Sequence, residues 1–362
     1  MIETLQSLRF IFFVMIFMSH FEYDGLPAFD AGGDCGVSFF FILSGFVLSS
    51  AYGNKVSSDG FRYRQFMARR VKKLYPLHLL CLLAFVVINI RSMDAGTLVR
   101  LLPNLLLVQS WIPSAGFYFS ANAVSWFLSD ILLCYAVFPV VFRAVRRMTP
   151  MALTGAWAAV LAAYAVLLCN IPDAMTNAII YVFPPVRTVD FAIGVTLWHV
   201  AAWLKGRRAA VSESRLVAFD SRSAALGSHL TVTAAELTVF AALAVTLAAH
   251  PYVSPQIRTA CLFWPVCAAI ILLFACERQG GAVAWLLRRK PLIWLGNISF
   301  PLFMVHQMAI SITLAVLLRL SSITPEPPYW LALTLCAATT LAGTALAQYI
   351  IKVRVKRSES EE

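Results

Sequence analysis

Apolar residues in this chain fall in long blocks, not at the spacing of a half-buried helix or an alternating strand. Runs of about 20 apolar residues, enough helix to cross roughly 30 Å of hydrocarbon, recur at 5–23, 35–52, 74–90, 124–142, 150–169, 178–203, 231–249, 258–276, 291–318 and 329–351. The pattern predicts ten membrane-spanning α-helices. A membrane β-barrel would alternate in segments of about ten residues. These continuous blocks do not, so the expected fold class is all-α and polytopic. The stretch 98–112 (LVRLLPNLLLVQSWI) is also apolar, but it is short and Pro103 interrupts it.

Lysine and arginine orient the spans, because cytoplasmic loops carry the positive excess. The loop KVSSDGFRYRQFMARRVKK carries Lys55, Arg62, Arg64, Arg69, Arg70, Lys72 and Lys73. Placing it in the cytoplasm puts the N-terminus there too. If 98–112 crossed, Arg143, Arg146 and Arg147 would fall outside, so this stretch is expected to lie in the outer interface or to dip in and return. The later basic clusters then all fall inside: Lys205, Arg207, Arg208 and Arg215; Arg278, Arg288, Arg289 and Lys290; Lys352, Arg354, Lys356 and Arg357. The outer loops carry acids instead, at Glu22, Asp24, Asp30, Asp34, Asp173 and Glu326. Both termini are expected to be cytoplasmic. Residues 1–357 read as one transmembrane domain, 205–230 as a polar cytoplasmic linker, and 358–362 (SESEE) as a short, disordered acidic tail.

Composition agrees with this and narrows the partners. The 362 residues are 60% hydrophobic and 13% charged, where soluble chains run roughly 45–50% and about 25%. A net charge of +11 in a soluble chain would point to nucleic acid. Here the positives sit in short clusters between apolar blocks, which argues against nucleic acid and for contact with membrane lipids. The eight cysteines form no CxxC and no metal-like spacing, and most lie inside apolar runs, where Cys behaves as a small hydrophobe. Neither a disulfide framework nor a metal site is expected. The first apolar run contains Arg9 and no small-x-small cleavage pattern follows it, so it reads as a retained span, not a signal peptide.

Ionisable residues inside spans are costly and are either functional or paired. Arg9 and His20 lie on one face of the first span, about 16 Å apart along the axis, with Arg9 near the inner end. Taken alone, Arg9 snorkelling and His20 resting harmlessly at the interface is the stronger reading. Asp130 follows Trp126 by one helical turn and shares its face. Arg187 and Asp190 stand three residues apart and can satisfy each other, so a structural ion pair is the leading reading there. For His306, deep in the ninth span, packing and catalysis stay equally open. Arg69, Arg70, Lys72 and Lys73 read either as a topology signal that attracts anionic lipid or as a phosphate site. The charge run alone favours the first.

Several local patterns, in order, change those readings. SLRFIFFVMIFMSHF, GGDCGVSFFFILSGFVLSS, FMARRVKKLYPLH, VSWFLSDILLCYAVFP, VRTVDFAIG and GNISFPLFMVHQ together resemble membrane-bound acyltransferase family 3, integral-membrane O-acyltransferases of bacteria. The resemblance covers about 5–351. Lys73 stands where the family's basic motif has a second Arg, Asp130 where its W-S-L-S-x-E motif has Glu, and the last span lacks the family's usual Glu. The fused hydrolase-like domain common in the family is not seen after the tenth span.

The resemblance implies an O-acyltransferase, most simply an O-acetyltransferase, in the bacterial inner membrane. Its donor would be cytoplasmic acyl-CoA, a substrate and not a bound cofactor. Its acceptor would be a hydroxyl of a cell-surface or exported saccharide or a lipid-linked glycan. On this reading His20 is general base or transient acyl carrier. Arg9 orients the donor or stabilises the oxyanion. Arg69, Arg70 and Lys73 hold the CoA phosphates. Asp130, Arg187 and His306 orient His20 or the acceptor, and Trp126 lies on the acceptor side. The rival class is a transporter that exports a small acylated molecule without chemistry. Such a protein needs substrate-path residues near the midplane, whereas these motifs cluster at the two faces.

Overall fold

The computed structural model describes residues 2–23, 25, 28–214, 221–276, 280–321 and 327–360, without the side chains of 206–228 and 354–360. The expectations at Asp24, Arg215, Arg278, Glu326, Glu361 and Glu362 lie outside the described residues, as do the side chains of Arg207, Arg208, Arg354, Lys356 and Arg357. The helices in chain order are α1 (Glu3–Ser19), α2 (Asp30–Val56), α3 (Tyr63–Asn89), α4 (Ala95–Leu105), α5 (Ala115–Tyr118), α6 (Trp126–Arg147), α7 (Pro150–Asn170) and α8 (Pro184–Ser214), followed by α9 (Ser221–Ala249), α10 (Pro255–Arg258), α11 (Trp264–Cys276), α12 (Ala282–Leu287), α13 (Lys290–Asn297), α14 (Ser299–Leu320) and α15 (Tyr329–Ser360). No β-strand occurs among the described residues.

Seven helices are long and apolar enough to cross a membrane, and an eighth crossing arises if the bent pair Asp173–Tyr181 and Pro184–Lys205 counts as one span. The protein is therefore a polytopic helical membrane protein. Two more of the ten apolar runs also form helix, but shorter: α1 has 17 residues, and Cys261–Cys276 falls in the same shorter class.

Several boundaries differ from the sequence reading. The run 178–203 opens as a π-helical turn, Asn177–Tyr181, and bends by 55° before Pro184, because proline cannot donate into the preceding turn. The run 291–318 is two helices separated at Ile298. The linker 205–230 is largely helical backbone, with α8 continuing to Ser214 and α9 starting at Ser221. Helix α15 continues through Ser360 into the acidic tail. Asp34, expected in an outer loop, lies within α2.

Helix α2 is the hub, and glycine sets how closely its neighbours approach. A Cβ on Gly45 would stand 2.1 Å from the Phe191 carbonyl oxygen, and one on Gly194 would stand 1.8 Å from that of Ile42. The two backbones of α2 and α8 thus meet at reciprocal glycines, one from LSGF and one from DFAIG. Gly296 on α13 approaches α1 the same way, since a Cβ there would stand 1.9 Å from the Gln6 carbonyl oxygen. By contrast α7 buries only Tyr164 and presents the rest of its apolar surface outward, as a lipid-facing helix does.

Helix α4 has 11 residues, a rise of about 16 Å, roughly half the hydrocarbon thickness. Beyond it the chain turns at Leu107 (φ 55°) and Ala121 (φ 57°), left-handed conformations that cost a side-chain-bearing residue about 1–2 kcal/mol each. Polar bonds hold the segment there. Tyr75 Oη donates to the Leu105 carbonyl at 2.6 Å, His78 Nε2 to the Asn104 carbonyl at 2.8 Å, and Asn122 Nδ2 to the Met304 carbonyl at 2.9 Å. The segment is thereby tied down beside α14, two residues from His306.

Candidate active site

A cavity of about 300 Å³ runs between α1, α2, α3, α6 and α14. Its length follows from α2, which contributes Val37, Phe40, Ser44, Leu48 and Tyr52, one face over some four turns, or about 22 Å. Helix α6 presents Phe127, Ile131 and Tyr135 at one-turn intervals, and α1 presents Arg9 and Ile16.

One end is basic. Arg9, Arg70 and Lys73 all line the cavity, and no carboxylate lines it among the described residues. Arg70 is held in place: its Nη2 donates to Tyr52 Oη, and its guanidinium lies 4.5 Å from the Tyr52 ring centroid. Arg9 Nη1 donates to Gln6 Oε1 at 3.3 Å, while its buried Nε has no partner. Arg69 does not join this set. It lines a second hollow of about 250 Å³ with Lys55 and Arg62, on the other side of Tyr52.

The opposite end is aromatic, closed by Phe40, Phe127, Phe303 and Ile16. Immediately beyond it stand the two histidines. His306 Nε2 lies 3.3 Å from His20 Nδ1. Each Nδ1 also faces a carbonyl: that of Ile16, 2.9 Å from His20, and that of Phe303, 2.6 Å from His306. A carbonyl only accepts, so both Nδ1 atoms carry protons in the neutral pair. His306 Nε2 is then an acceptor turned toward the His20 N–H. His20 Nε2 keeps a free lone pair, with no partner among the described residues. The wall between the cavity and the imidazoles is one residue thick, since Ile16 and Phe303 line the one and orient the other.

The remaining expected site residues form a separate group on the adjacent face of α6, toward α8. Trp126, Asp130 and Arg187 are buried, the last two completely. Arg187 pairs with Asp190 at 3.5 Å, and Asp190 accepts from Trp264 Nε1 at 2.8 Å. Trp126 and Arg187 meet around Tyr181, at 4.8 Å and 5.7 Å. Neither carboxylate oxygen of Asp130 has a hydrogen-bond partner, and neither do Nε and Nη2 of Arg187. The ion pair expected from the three-residue spacing is therefore present. These residues do not touch His20.

Sequence reasoning did not single out Tyr52, Ile16, Phe127 or Phe303. The one signal for Tyr52 was the three- and four-residue spacing from Val37 to Tyr52, which any packed helix also shows. It also missed the partners of two acids: half-buried Asp34 accepts from His250 Nε2 at 2.9 Å, and buried Glu236 receives three backbone N–H groups. Among the described residues no cluster of three His, Cys, Asp or Glu is placed to hold a metal ion.

A polytopic helical bundle with a cationic cavity ending beside an oriented imidazole is the architecture of a membrane group-transfer enzyme. Residues 2–348 match the family model described as "Acyltransferase domain", and the chain belongs to this family, membrane acyltransferase family 3. It is similar to acyltransferase MdmB of Streptomyces mycarofaciens, with 30% identity over 299 residues, covering 77% of this chain and 68% of that one. No solved structure matches the chain.

Proposed function

We propose that this acyltransferase moves an acyl group, acetyl in the simplest case, from cytoplasmic acyl-CoA to a hydroxyl of a saccharide or lipid-linked glycan at the opposite face of the bacterial inner membrane. The observation that carries the reading is the cavity joining Arg9, Arg70 and Lys73 to the wall beneath His20. On this reading the ten helical runs are ten spans, both termini are cytoplasmic, and the basic end faces the cytoplasm.

Arg70 and Lys73 bind the CoA phosphates at the mouth, Arg70 through a planar fork that suits phosphate oxygens. The pantetheine arm extends along α2 and brings the thioester to the aromatic end. His20 Nε2 takes the proton of the acceptor hydroxyl as its oxygen attacks the thioester carbonyl, a general-base step typically worth 10²–10⁴-fold. The C–O bond forms, the C–S bond breaks, and the proton passes from His20 to the departing thiolate. Arg9 stands about 16 Å from His20 along the helix, too far to serve the same oxyanion, so its role is to hold the donor. Trp126, Asp130 and Arg187 form a polar group apart from the cavity and fit acceptor positioning better than donor binding.

The test is transfer of labelled acetyl from acetyl-CoA by the purified chain in detergent or nanodiscs, with saccharide acceptors added. Release of free CoA with formation of an ester supports the reading. Failure to bind CoA at all overturns it.

A further inference from the structure

The aromatic end of the cavity has a geometry that bears on which acyl groups fit. Phe127 from α6 and Phe303 from α14 approach edge to face with ring centroids 5.4 Å apart. Neither ring has slack behind it. Phe127 rests on Phe41 at 4.5 Å, and Phe303 lies 5.8 Å from the His306 ring. Phe40 closes the third side, 6.4 Å from Phe303. The pair thus stands across the path between the donor cavity and the histidines, backed by buried side chains.

We infer that the Phe127–Phe303 ring pair is the stop that limits acyl chain length, making the donor a short-chain acyl-CoA. The inference rests on the acyl-CoA reading above. A cavity of about 300 Å³ is at the lower limit of small-molecule sites, and the pantetheine arm occupies most of its 22 Å course. A two-carbon acyl group ends against the rings with its thioester carbonyl at the wall beneath His20. A six-carbon chain has to displace two rings that are packed from behind, and closely packed interiors resist such movement. Chain-length recognition therefore resides in these two side chains and not in the mouth, where Arg70 and Lys73 meet the part of the donor common to all acyl-CoA esters.

The experiment compares the affinities of acetyl-CoA and hexanoyl-CoA for the full chain in nanodiscs, with free CoA as the reference. A fitted apolar pocket discriminates by roughly tenfold or more per methylene, so the wild type is expected to favour acetyl-CoA by at least that factor. Phe127→Ala and Phe303→Ala should each reduce the ratio to about threefold or less, and Phe303→Leu should give an intermediate value. Leu48→Ala enlarges the cavity away from the rings and should leave the ratio near the wild-type value. Equal binding of the two esters by the wild type, an unchanged ratio in both alanine variants, or an equal change in Leu48→Ala would each overturn the inference while leaving acyl-CoA binding intact. Absence of binding by free CoA would instead overturn the underlying reading, and this one with it.

Discussion

His306 presents an acceptor nitrogen to His20 Nδ1 at 3.3 Å, while the Ile16 carbonyl faces the same N–H at 2.9 Å. The proton on His20 is therefore fixed to Nδ1 from two sides, which leaves the Nε2 lone pair free for the general-base role proposed above. The two imidazoles are not equivalent: one has a free lone pair, and the other only orients it.

That asymmetry predicts unequal losses. His20→Ala should lower kcat for acyl transfer by at least about 10²-fold while CoA still binds. His20→Asn should fail to the same degree, because an amide cannot take a proton at neutral pH. His306→Ala should lose less, since the Ile16 carbonyl still holds the His20 ring. Rates of transfer beside CoA affinities in the same preparations decide this. A larger loss in His306→Ala than in His20→Ala would reverse the assignment.

The separation of Arg70 from Arg69 across Tyr52 predicts that neighbouring arginines behave differently. Removing a charge-assisted hydrogen bond to a phosphate costs about 1.5–3 kcal/mol, so Arg70→Ala should weaken CoA binding by roughly 10- to 100-fold. Arg69→Ala should have a smaller effect. Tyr52→Phe keeps the ring beneath the guanidinium but removes the Oη acceptor, and should fall between them. Titration calorimetry with CoA is the measurement. Equal affinities in all three variants would leave the cluster as a topology signal only.

Much of this was legible in the sequence because membrane helices are specified by length and apolarity. Every predicted apolar run contains helix, and the spacing of Arg187 and Asp190 gave their ion pair. What stayed hidden depends on how helices are rotated against one another. Asp130 and Phe127 are three residues apart, yet one turns toward Arg187 and the other lines the cavity. Nothing local marks which face meets α2 and which meets α8. The His20–His306 contact spans nearly the whole chain and needed the break at Ile298, which Gly296 and Pro301 flank but which the continuous apolar run 291–318 masks. The motif glycines were visible, but their pairing across α2 and α8 was not.

The fold of 95–125 bears on sidedness. An α4 of about 16 Å tied to α3 and α14 by polar bonds should leave Ala95 and Val145 on opposite sides of the membrane. Single cysteines at 95 and 145 in a cysteine-free background should therefore be labelled by impermeant maleimide from opposite faces. Labelling of both from outside would make 98–112 a crossing segment and overturn the ten-span arrangement.

Glu236 offers a test of how a peripheral helix is fastened to the bundle. Its carboxylate on α9 accepts from the backbone N–H of Gly281 at 2.8 Å, Val283 at 2.9 Å and Ala284 at 3.1 Å, and Thr233 Oγ1 accepts from Ala282 at 3.0 Å. Together they satisfy the unpaired donors that every helix start exposes, here at the head of α12. The other end of α12 is bonded to α1, because Ser7 Oγ donates to the Leu287 carbonyl. Glu236→Gln retains size but offers one acceptor oxygen in place of two, with an amino group turned toward N–H donors. A buried donor left unpaired costs about 1–3 kcal/mol, so the variant should inactivate at a lower temperature in detergent. Glu236→Ala should be worse. Since neither Glu236 nor its partners line the cavity, CoA affinity below the transition should stay near the wild-type value. Unaltered thermal inactivation in both variants would mean that α12 is held by packing alone.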